Sequence, residues 1–295
     1  FRRVLFRSKL AYFPCKAAFK MRNVARKNEA KMYDKATKPT WIIAKERQKR
    51  IAGQETVWLF GLHAVRDALM NPAREKLRLV LTKNAADKLL EAIDLGGIEP
   101  QIVDPRNFDV PIDAGSVHQG AALEAKPLHW GTVQDICITG EGLPLLVILD
   151  RVTDPHNVGA VLRSAEVFGA RAVIAPQRHS APETGALAKT ASGALERQPY
   201  LRVGNLADTM TDLKNMGYIL LGLDSGAPMT LAQGITDAEK RPIALVLGAE
   251  GPGLRDKTRE TCDHLVRVPF VGGFGSLNVS NAAAVGLYAV ATAWA

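Results

Sequence analysis

Leu145-Leu146-Val147-Ile148-Leu149 is an uninterrupted apolar run near the middle of the chain. Such runs are typical of strands in a parallel sheet whose two faces are both covered by helices. Similar runs follow at residues 171–175, 219–223, 243–247 and, more briefly, 266–268. Segments with helical spacing separate them, at residues 158–168, 183–191, 206–216 and 279–292. This alternation predicts an α/β domain over residues 145–295, with a mostly parallel sheet and helices on both faces.

A smaller α/β unit is predicted upstream, over residues 57–126. Its predicted elements alternate between strands and helices, at residues 57–60, 62–70, 77–81, 85–95 and 100–103. About seventy residues is enough for a small domain. Residues 127–144 have three glycines after Trp130 and are predicted to be an irregular linker between the two domains.

Positive charge is concentrated at the start of the chain. Residues 1–50 contain sixteen Lys or Arg and three Asp or Glu, whereas the rest of the chain has twenty-two and twenty-seven. Residues 21–56 are therefore predicted to be a basic, flexible arm. A block of like charge is either a solvated tail or a segment that contacts phosphates, and charge alone does not decide between them.

The first eight residues, Phe1-Arg2-Arg3-Val4-Leu5-Phe6-Arg7-Ser8, back-translate to the end of a common short-read sequencing adapter. We therefore expect residues 1–20 to be a cloning or assembly artefact followed by leader sequence, with the natural start at Met21 or Met32. The alternative is a real Arg-rich targeting peptide.

Cysteine usage and hydropathy bear on the compartment. Cys15, Cys137 and Cys262 are widely spaced and form no CxxC pair, which favours a reducing cytoplasm. The longest apolar stretch, residues 279–295, is interrupted by polar residues and is shorter than the ~20 residues of a membrane helix. We expect no membrane partner.

A first candidate segment follows the first strand of the larger domain: Asp154-Pro155-His156-Asn157-Val158-Gly159 and, a little later, Arg163. Asn157 is suited to cap a helix that begins at Val158. On that helix Arg163 projects away from the apolar stripe. An isolated helical Arg is usually solvated or ion-paired. A functional role for Arg163 therefore depends on which other residues lie near it.

Two further segments carry glycine or small polar residues after strands. Gly248-Ala249-Glu250-Gly251-Pro252-Gly253 matches neither GxGxxG nor the P-loop, which argues against a dinucleotide-binding oxidoreductase and a P-loop enzyme. Gly272-Gly273-Phe274-Gly275 precedes Ser276-Leu277-Asn278-Val279-Ser280-Asn281. Glycines at strand ends let backbone approach a ligand closely, although tight turns alone would also account for them.

Other chemistry finds no support in the spacing of residues. The six histidines show neither HxxxH nor HExxH, so no metal site is predicted. A GxSxG motif is absent from the sequence, which removes the usual marker of an α/β-hydrolase.

Together the three segments resemble the three motifs of the SpoU (TrmH-type) branch of the SPOUT RNA methyltransferases, with Val268-Pro269 opening the third. Phe60-Gly61-Leu62-His63-Ala64-Val65 and Val117-His118-Gln119-Gly120 are similar to the small substrate-binding domain of the RlmB-like subgroup. That subgroup methylates a guanosine ribose in the peptidyl-transferase region of large-subunit ribosomal RNA. The resemblance covers residues 57–295.

The resemblance implies a SPOUT fold with a trefoil knot, preceded by a small L7Ae-like α/β substrate-binding domain. It implies S-adenosyl-L-methionine as cofactor, a homodimer with its site near the interface, and 23S rRNA as partner. The implied activity is RNA ribose 2′-O-methylation. The alternatives are a tRNA 2′-O-methyltransferase and a non-catalytic RNA-binding ribosome-assembly factor.

The resemblance also assigns site residues. The implied catalytic residues are Arg163, Asn157, Glu250, Ser276 and Asn278, and the implied cofactor-binding residues are Leu247, Gly248, Gly251, Val268, Leu277 and Asn278. Since a guanidinium has a pKa above ~12, we expect Arg163 to clamp a phosphate and stabilise the developing alkoxide rather than accept a proton. Glu250 is expected to pair with Arg163 or to orient the substrate.

Overall fold

The structure is a computed structural model and describes residues 56–113, 115–138, 142–271 and 277–294. From Thr56 onward the described residues belong to one compact unit that contains two sheets. The predicted artefact (residues 1–20) and the predicted basic arm (residues 21–56) lie outside the described residues, Thr56 apart.

The first sheet has four strands in the order β1-β4-β2-β3. Its strands are β1 (Val57–Phe60), β2 (Lys76–Thr82), β3 (Pro100–Val103) and β4 (Ala121–Ala125), and its helices are α1 (Leu62–Met70), α2 (Lys83–Lys88) and α3 (Leu90–Gly96). Strand β2 pairs parallel with β3, and β4 pairs antiparallel with β1 and β2. We call residues 56–126 the small-sheet region.

Two expectations for this region are corrected by the structure. The single helix predicted over residues 85–95 is two helices that meet at Leu89, and the hydroxyl of Thr82 caps the first by accepting from the Ala85 amide. Strand β4 was not predicted, because its sequence, Ala-Ala-Leu-Glu-Ala, has low strand propensity. It is buried along most of its length and therefore takes its conformation from its two neighbours.

The segment predicted to be an irregular linker contains a short helix, α4 (Val133–Ile136). A reciprocal capping box between Thr132 and Asp135 begins it. Val133 and Cys137 are buried, and the Tyr218 hydroxyl donates to the carbonyl of Cys137 over 2.9 Å. This segment is therefore anchored to the second sheet at its C-terminal end.

The second sheet has seven strands in the order β7-β6-β5-β10-β8-β11-β9, and all of its pairings are parallel. Its strands are β5 (Leu145–Asp150), β6 (Ala172–Pro176), β7 (Tyr200–Val203), β8 (Ile219–Leu223), β9 (Met229–Thr230), β10 (Ile243–Gly248) and β11 (His264–Arg267). Its helices are α5 (Pro155–Val167), α6 (Gly185–Ala191), α7 (Leu206–Asn215), α8 (Leu231–Asp237), α9 (Asp256–Thr261) and α10 (Val279–Trp294). We call residues 142–294 the large-sheet region.

Alternate side chains of β5 enter two different cores. Leu145, Val147 and Leu149 pack in the core that α5, α6, α8 and α10 share, whereas Leu146 and Ile148 pack in the core that α4 and α7 share. Burial on both faces is therefore the reason that the apolar run shows no alternation. The predicted fold class, a mostly parallel sheet with helices on both faces behind a smaller α/β region, is confirmed.

The trefoil knot implied by the resemblance stays a prediction, because residues 272–276 lie outside the described residues. None of the described helices is long and apolar enough to span a membrane.

Candidate active site

The first motif lies at the start of α5, which begins three residues earlier than predicted. The N-cap is Asp154, whose carboxylate accepts from the His156 amide over 3.0 Å, and Pro155 occupies the first turn. Proline has a helical φ and no N–H, so it suits that position. The expectation that Asn157 caps the helix is therefore wrong, and its side-chain amide is available to the site.

The second motif is a tight loop after β10 whose glycines are required by its geometry. A Cβ on Gly248 would lie 2.1 Å from the carbonyl carbon of Gly253. Gly251 and Gly253 have φ values of 84° and 69°, which residues with a side chain rarely adopt. The Gly253 amide donates to the Ala249 carbonyl over 2.9 Å and closes the loop. As a result Glu250 projects from a narrow, defined turn.

The third motif leads into α10. The side-chain oxygen of Asn278 accepts from the amide and the hydroxyl of Ser280 over 2.9 and 2.6 Å, and so caps the helix. Ser276, which the resemblance assigns to the catalytic set, lies outside the described residues. Leu277 is half exposed beside Asn278.

Asn157, Glu250 and Asn278 meet at one carboxylate oxygen. The side-chain amide of Asn157 donates to Oε1 of Glu250 over 3.2 Å, and the amide of Asn278 donates to the same atom. The amide of Asn278 also donates to Oδ1 of Asn157 over 3.0 Å. We call these three side chains the polar triad. All three motifs therefore contribute to one cluster.

A cavity of about 880 Å³ opens beside the polar triad. The residues that the resemblance assigns to the cofactor all line it, namely Leu247, Gly248, Gly251, Val268, Leu277 and Asn278. Glu250 lines the cavity as well. Asn157 is not among the lining residues, but it hydrogen-bonds to Glu250. The cavity wall combines apolar side chains with the backbone of the glycine loop, a mixture that is typical of small-molecule sites.

Arg163 does not join the polar triad within this chain. It is exposed on α5, six residues after Asn157, which corresponds to about 9 Å along the axis and about 120° around it. Among the described residues it has no hydrogen-bond or ion-pair partner, and the expected pairing with Glu250 is not present in the described contacts.

Two carboxylates near the cavity were not singled out by sequence reasoning. Asp150, at the end of β5, is fully buried and accepts from the amide of Arg255 over 3.0 Å and from its Nε over 2.7 Å. Asp224 lines the cavity and pairs with Arg259. The Asp150 contact fastens the far end of the glycine loop to β5. The signal available in the sequence was an acidic residue, Asp150, directly after the apolar run of residues 145–149.

No group of three or more His, Cys, Asp or Glu side chains within the described ranges could hold a metal ion.

Comparisons with known proteins identify the family of the chain. Residues 144–288 match the SpoU rRNA Methylase family, and residues 58–130 match the family described as RNA 2′-O ribose methyltransferase substrate binding. The chain is 42% identical over 236 residues to the 23S rRNA (guanosine-2′-O-)-methyltransferase RlmB of Ralstonia nicotianae, covering 78% of this chain and 93% of that protein. It is 40% identical over 237 residues to the RlmB of Escherichia coli, covering 78% and 96%.

Solved structures share the fold. The SpoU methyltransferase AviRb from Streptomyces viridochromogenes superposes with a TM-score of 0.67 at 22% identity, covering 84% of this chain and 96% of that one. An AdoMet-bound rRNA methyltransferase from Sinorhizobium meliloti superposes with a TM-score of 0.67 at 20% identity, covering 85% and 91%. At such identities the likeness bears on the fold alone.

Proposed function

Since this chain belongs to the SpoU rRNA methylase family, we propose that it transfers a methyl group from S-adenosyl-L-methionine to the ribose 2′-oxygen of a guanosine in bacterial 23S rRNA. The polar triad carries this proposal, because it gathers all three motifs beside a cavity large enough for the cofactor. The relatives named for this reaction align with nearly their whole length. An rRNA substrate also favours the cytoplasm as the place of action.

The cavity fits the proposed cofactor. Gly248 lets the loop fold tightly against Gly253, and Gly251 has open space where a side chain would start. Backbone N–H and C=O groups of the loop beside Gly251 can therefore hydrogen-bond an adenine ring or an amino-acid group. Leu247, Val268 and Leu277 supply apolar surface for the remainder. When bound, S-adenosyl-L-methionine supplies an electrophilic methyl group and leaves as the neutral thioether.

The protein must then orient the ribose and accept one proton from its 2′-hydroxyl. Of the two carboxylates lining the cavity, Asp224 is paired with Arg259, whereas Glu250 holds only the amides of Asn157 and Asn278 among its described contacts. Both amides donate to Oε1, which leaves Oε2 without a described hydrogen bond. We assign proton acceptance to Glu250 and its orientation to the two asparagines.

We assign Arg163 to the phosphate next to the target ribose, in a site completed by a second copy of this chain. Val167, one turn further along α5, is 70% exposed, and so are large apolar side chains of α10, Val285 at 41% and Tyr288 at 59%. The rings of Phe168 and Tyr288 lie 6.0 Å apart, so the two helices present a continuous apolar surface. Burying that surface in a homodimer would bring Arg163 to the interface.

A basic edge of the large sheet supports RNA binding although the chain after residue 50 is net acidic. Arg151 follows β5, and Arg178 and His179 follow the adjacent β6; all three are exposed. None of them has a carboxylate partner in the part of the chain that the structure describes. Arg151 and His179 adopt left-handed φ values of 63° and 62°, a conformation that costs free energy and is often retained at functional sites.

The direct test is transfer of labelled methyl groups to unmodified bacterial ribosomal RNA and tRNA, followed by mapping of the modified ribose. We expect 2′-O-methylguanosine in 23S rRNA. If the label appears in tRNA alone, the substrate is tRNA and not 23S rRNA. Absence of transfer to either RNA, with cofactor binding retained, would favour a non-catalytic RNA-binding assembly factor.

Mixing inactive variants tests the dimeric site. Arg163→Ala and Glu250→Gln chains are combined so that heterodimers form. If Arg163 serves its partner's site, each heterodimer contains one intact site, and we expect activity to return. If Arg163 serves its own chain, every site keeps one defect and the mixture stays inactive.

A further inference from the structure

A buried arginine joins the small-sheet region to the large-sheet region. Arg74 lies in the turn before β2, and its side chain has no exposed surface. Its Nη2 and Nε donate to the carboxylate of Glu196 over 2.6 and 3.0 Å, and its Nη1 donates to Oε1 of Glu183 over 2.5 Å. Bidentate contacts between Arg and a carboxylate restrict orientation as well as distance. The contact therefore resists rotation of one region against the other.

Each carboxylate oxygen of the two glutamates has a donor. The side-chain amide of Asn71 donates to Oε2 of Glu196 over 2.9 Å, and the Leu128 amide donates to Oε2 of Glu183 over 3.2 Å. Burial would lower the pKa of Arg74, but its hydrogen bonds and the charges of both glutamates outweigh burial and raise that pKa. Burial raises the pKa of Glu183, which Arg74 opposes. The stability of this buried network depends on Arg74, Glu183 and Glu196 together, since the loss of one leaves a buried charge without compensation.

Two glycines shape the same interface. A Cβ on Gly185, at the start of α6, would lie 2.3 Å from the carbonyl oxygen of Trp58 in β1. A Cβ on Gly193 would lie 1.8 Å from Oδ2 of Asp67 in α1. Asp67 also pairs with Arg197 over 2.6 Å. Close packing and ion pairing thus act along the whole contact.

Helix α6 connects the interface between the two regions to α5, the helix that holds Asn157 of the polar triad. On α5 a Cβ at Gly159 would lie 2.6 Å from the Leu187 carbonyl oxygen and 2.8 Å from Cβ of Thr190, so the two helices are in close contact at this glycine. The Thr190 hydroxyl lies 3.0 Å from Nδ1 of His156, the residue before Asn157. An unbroken series of short contacts therefore runs from Arg74 to the site.

We propose that the Arg74–Glu183–Glu196 network fixes the small-sheet region against the large-sheet region, so that RNA held by the former meets the polar triad in one register. Arg74, Glu183, Glu196 and Asn71 are then positioning residues. This inference rests on the proposed function for its RNA substrate. Fixed spacing between two contact surfaces raises the effective concentration of the second contact once the first has formed.

Two variants break the network in different ways. Arg74→Gln leaves the two glutamates without their cation. Asn71→Asp is nearly isosteric and keeps the acceptor for the Ala73 amide, but it places a third carboxylate against Glu196. Arg66→Gln is the matched control, because Arg66 lies on α1, is half exposed, and pairs with the adjacent Asp67.

The first readout is the distance between the two regions in the full chain. Spin labels at Leu95 and Lys257, which are both exposed, are measured by pulsed EPR in a background without Cys15, Cys137 and Cys262. Labelled chains are diluted with unlabelled chains, so that only distances within one chain are recorded. We expect one narrow distribution for the parent and for Arg66→Gln, and broad distributions for Arg74→Gln and Asn71→Asp.

The second readout is methyl transfer to a 23S rRNA fragment. For the two network variants we expect KM for RNA to rise at least tenfold, with affinity for S-adenosyl-L-methionine unchanged and with methylation appearing at neighbouring nucleotides. A merely smaller folded fraction would lower kcat without moving KM or the product site. Narrow distributions in both variants, or broad ones with unchanged KM and one product site, would overturn the inference. If the parent methylates no RNA, the proposed function fails, and the distance distributions still decide whether the network fixes the two regions.

Discussion

The side-chain amide of Asn278 donates to Oδ1 of Asn157 over 3.0 Å and joins segments that are 121 residues apart in the chain. The same side chain caps α10 through its oxygen. Asn278 therefore links the stability of a helix to the shape of the polar triad, and the two roles can be separated by substitution.

Asn278→Asp should lower kcat on the order of 100-fold while it keeps the helix cap. The new carboxylate still accepts from Ser280, but it loses the donor to Asn157 and repels Glu250. The control is Asn205→Asp, which likewise keeps an N-cap, on α7, and places a carboxylate beside Asp208. Steady-state kinetics and urea unfolding should show equal losses of stability but a loss of activity in Asn278→Asp alone. Equal activity in both variants would contradict the role of the triad.

Gly248→Ala should abolish detectable cofactor binding. A Cβ at this position would lie 2.1 Å from the backbone of Gly253, so the loop that lines the cavity has to shift. Gly204→Ala is the control, because Gly204 has open space around its Cα; it should be neutral or stabilising by about 0.4–1 kcal/mol. Isothermal titration with S-adenosyl-L-methionine checks both variants. Normal affinity in Gly248→Ala would place the cofactor elsewhere.

Arg151→Gln and Arg178→Gln should weaken RNA binding and its dependence on salt. Removing one phosphate contact reduces the slope of log K against log salt concentration by about 0.7 to 0.9. Lys240→Gln is the matched control, because Lys240 is exposed, also has a positive φ, and lies before β10 at the opposite end of the sheet. Filter binding at several salt concentrations measures the slopes. If the slope changes equally in all three variants, Arg151 and Arg178 make no specific contact with RNA.

Alkaline stability should depend on Cys137. Burial raises the pKa of this thiol from 9.0 to about 11. The unfolded chain therefore releases the thiol proton first, so the stabilising contribution is complete below pH 9 and is lost as pH rises toward 11. Urea unfolding across this range should show a steeper decline for the parent than for Cys137→Ser, whose hydroxyl does not titrate there. Parallel declines would contradict the assignment.

The centre of the large sheet was predictable because β5 and β10 are apolar on both faces, and a strand of that composition is stable only where helices cover both of its faces. Strand β7 was missed, since Tyr200 to Val203 includes Arg202 and is only four residues long. The start of α5 was misjudged because Asp154 and Pro155 form a better cap and first turn than Asn157.

The site was only partly predictable. Its residues lie in distinctive sequence motifs, and the resemblance to a known family identifies them without structural information. The convergence of Asn157, Glu250 and Asn278 on one oxygen depends on tertiary packing across more than ninety residues. The network of Arg74 was not predictable, because its two glutamates lie 109 and 122 residues away and nothing in the neighbouring sequence marks them.

The position of β10 has a consequence for how the chain folds. This strand lies between β5 and β8, and its residues Ile243 and Leu247 pair with Leu145 and Leu149. Until it is in place, β5 and β8 each present an open apolar edge, and the two halves of the sheet have no backbone pairing with one another. During vectorial synthesis the edge of β5 waits for almost a hundred residues to emerge before β10 can pair with it. Closure of so long a loop is slow and exposes the intermediate to aggregation.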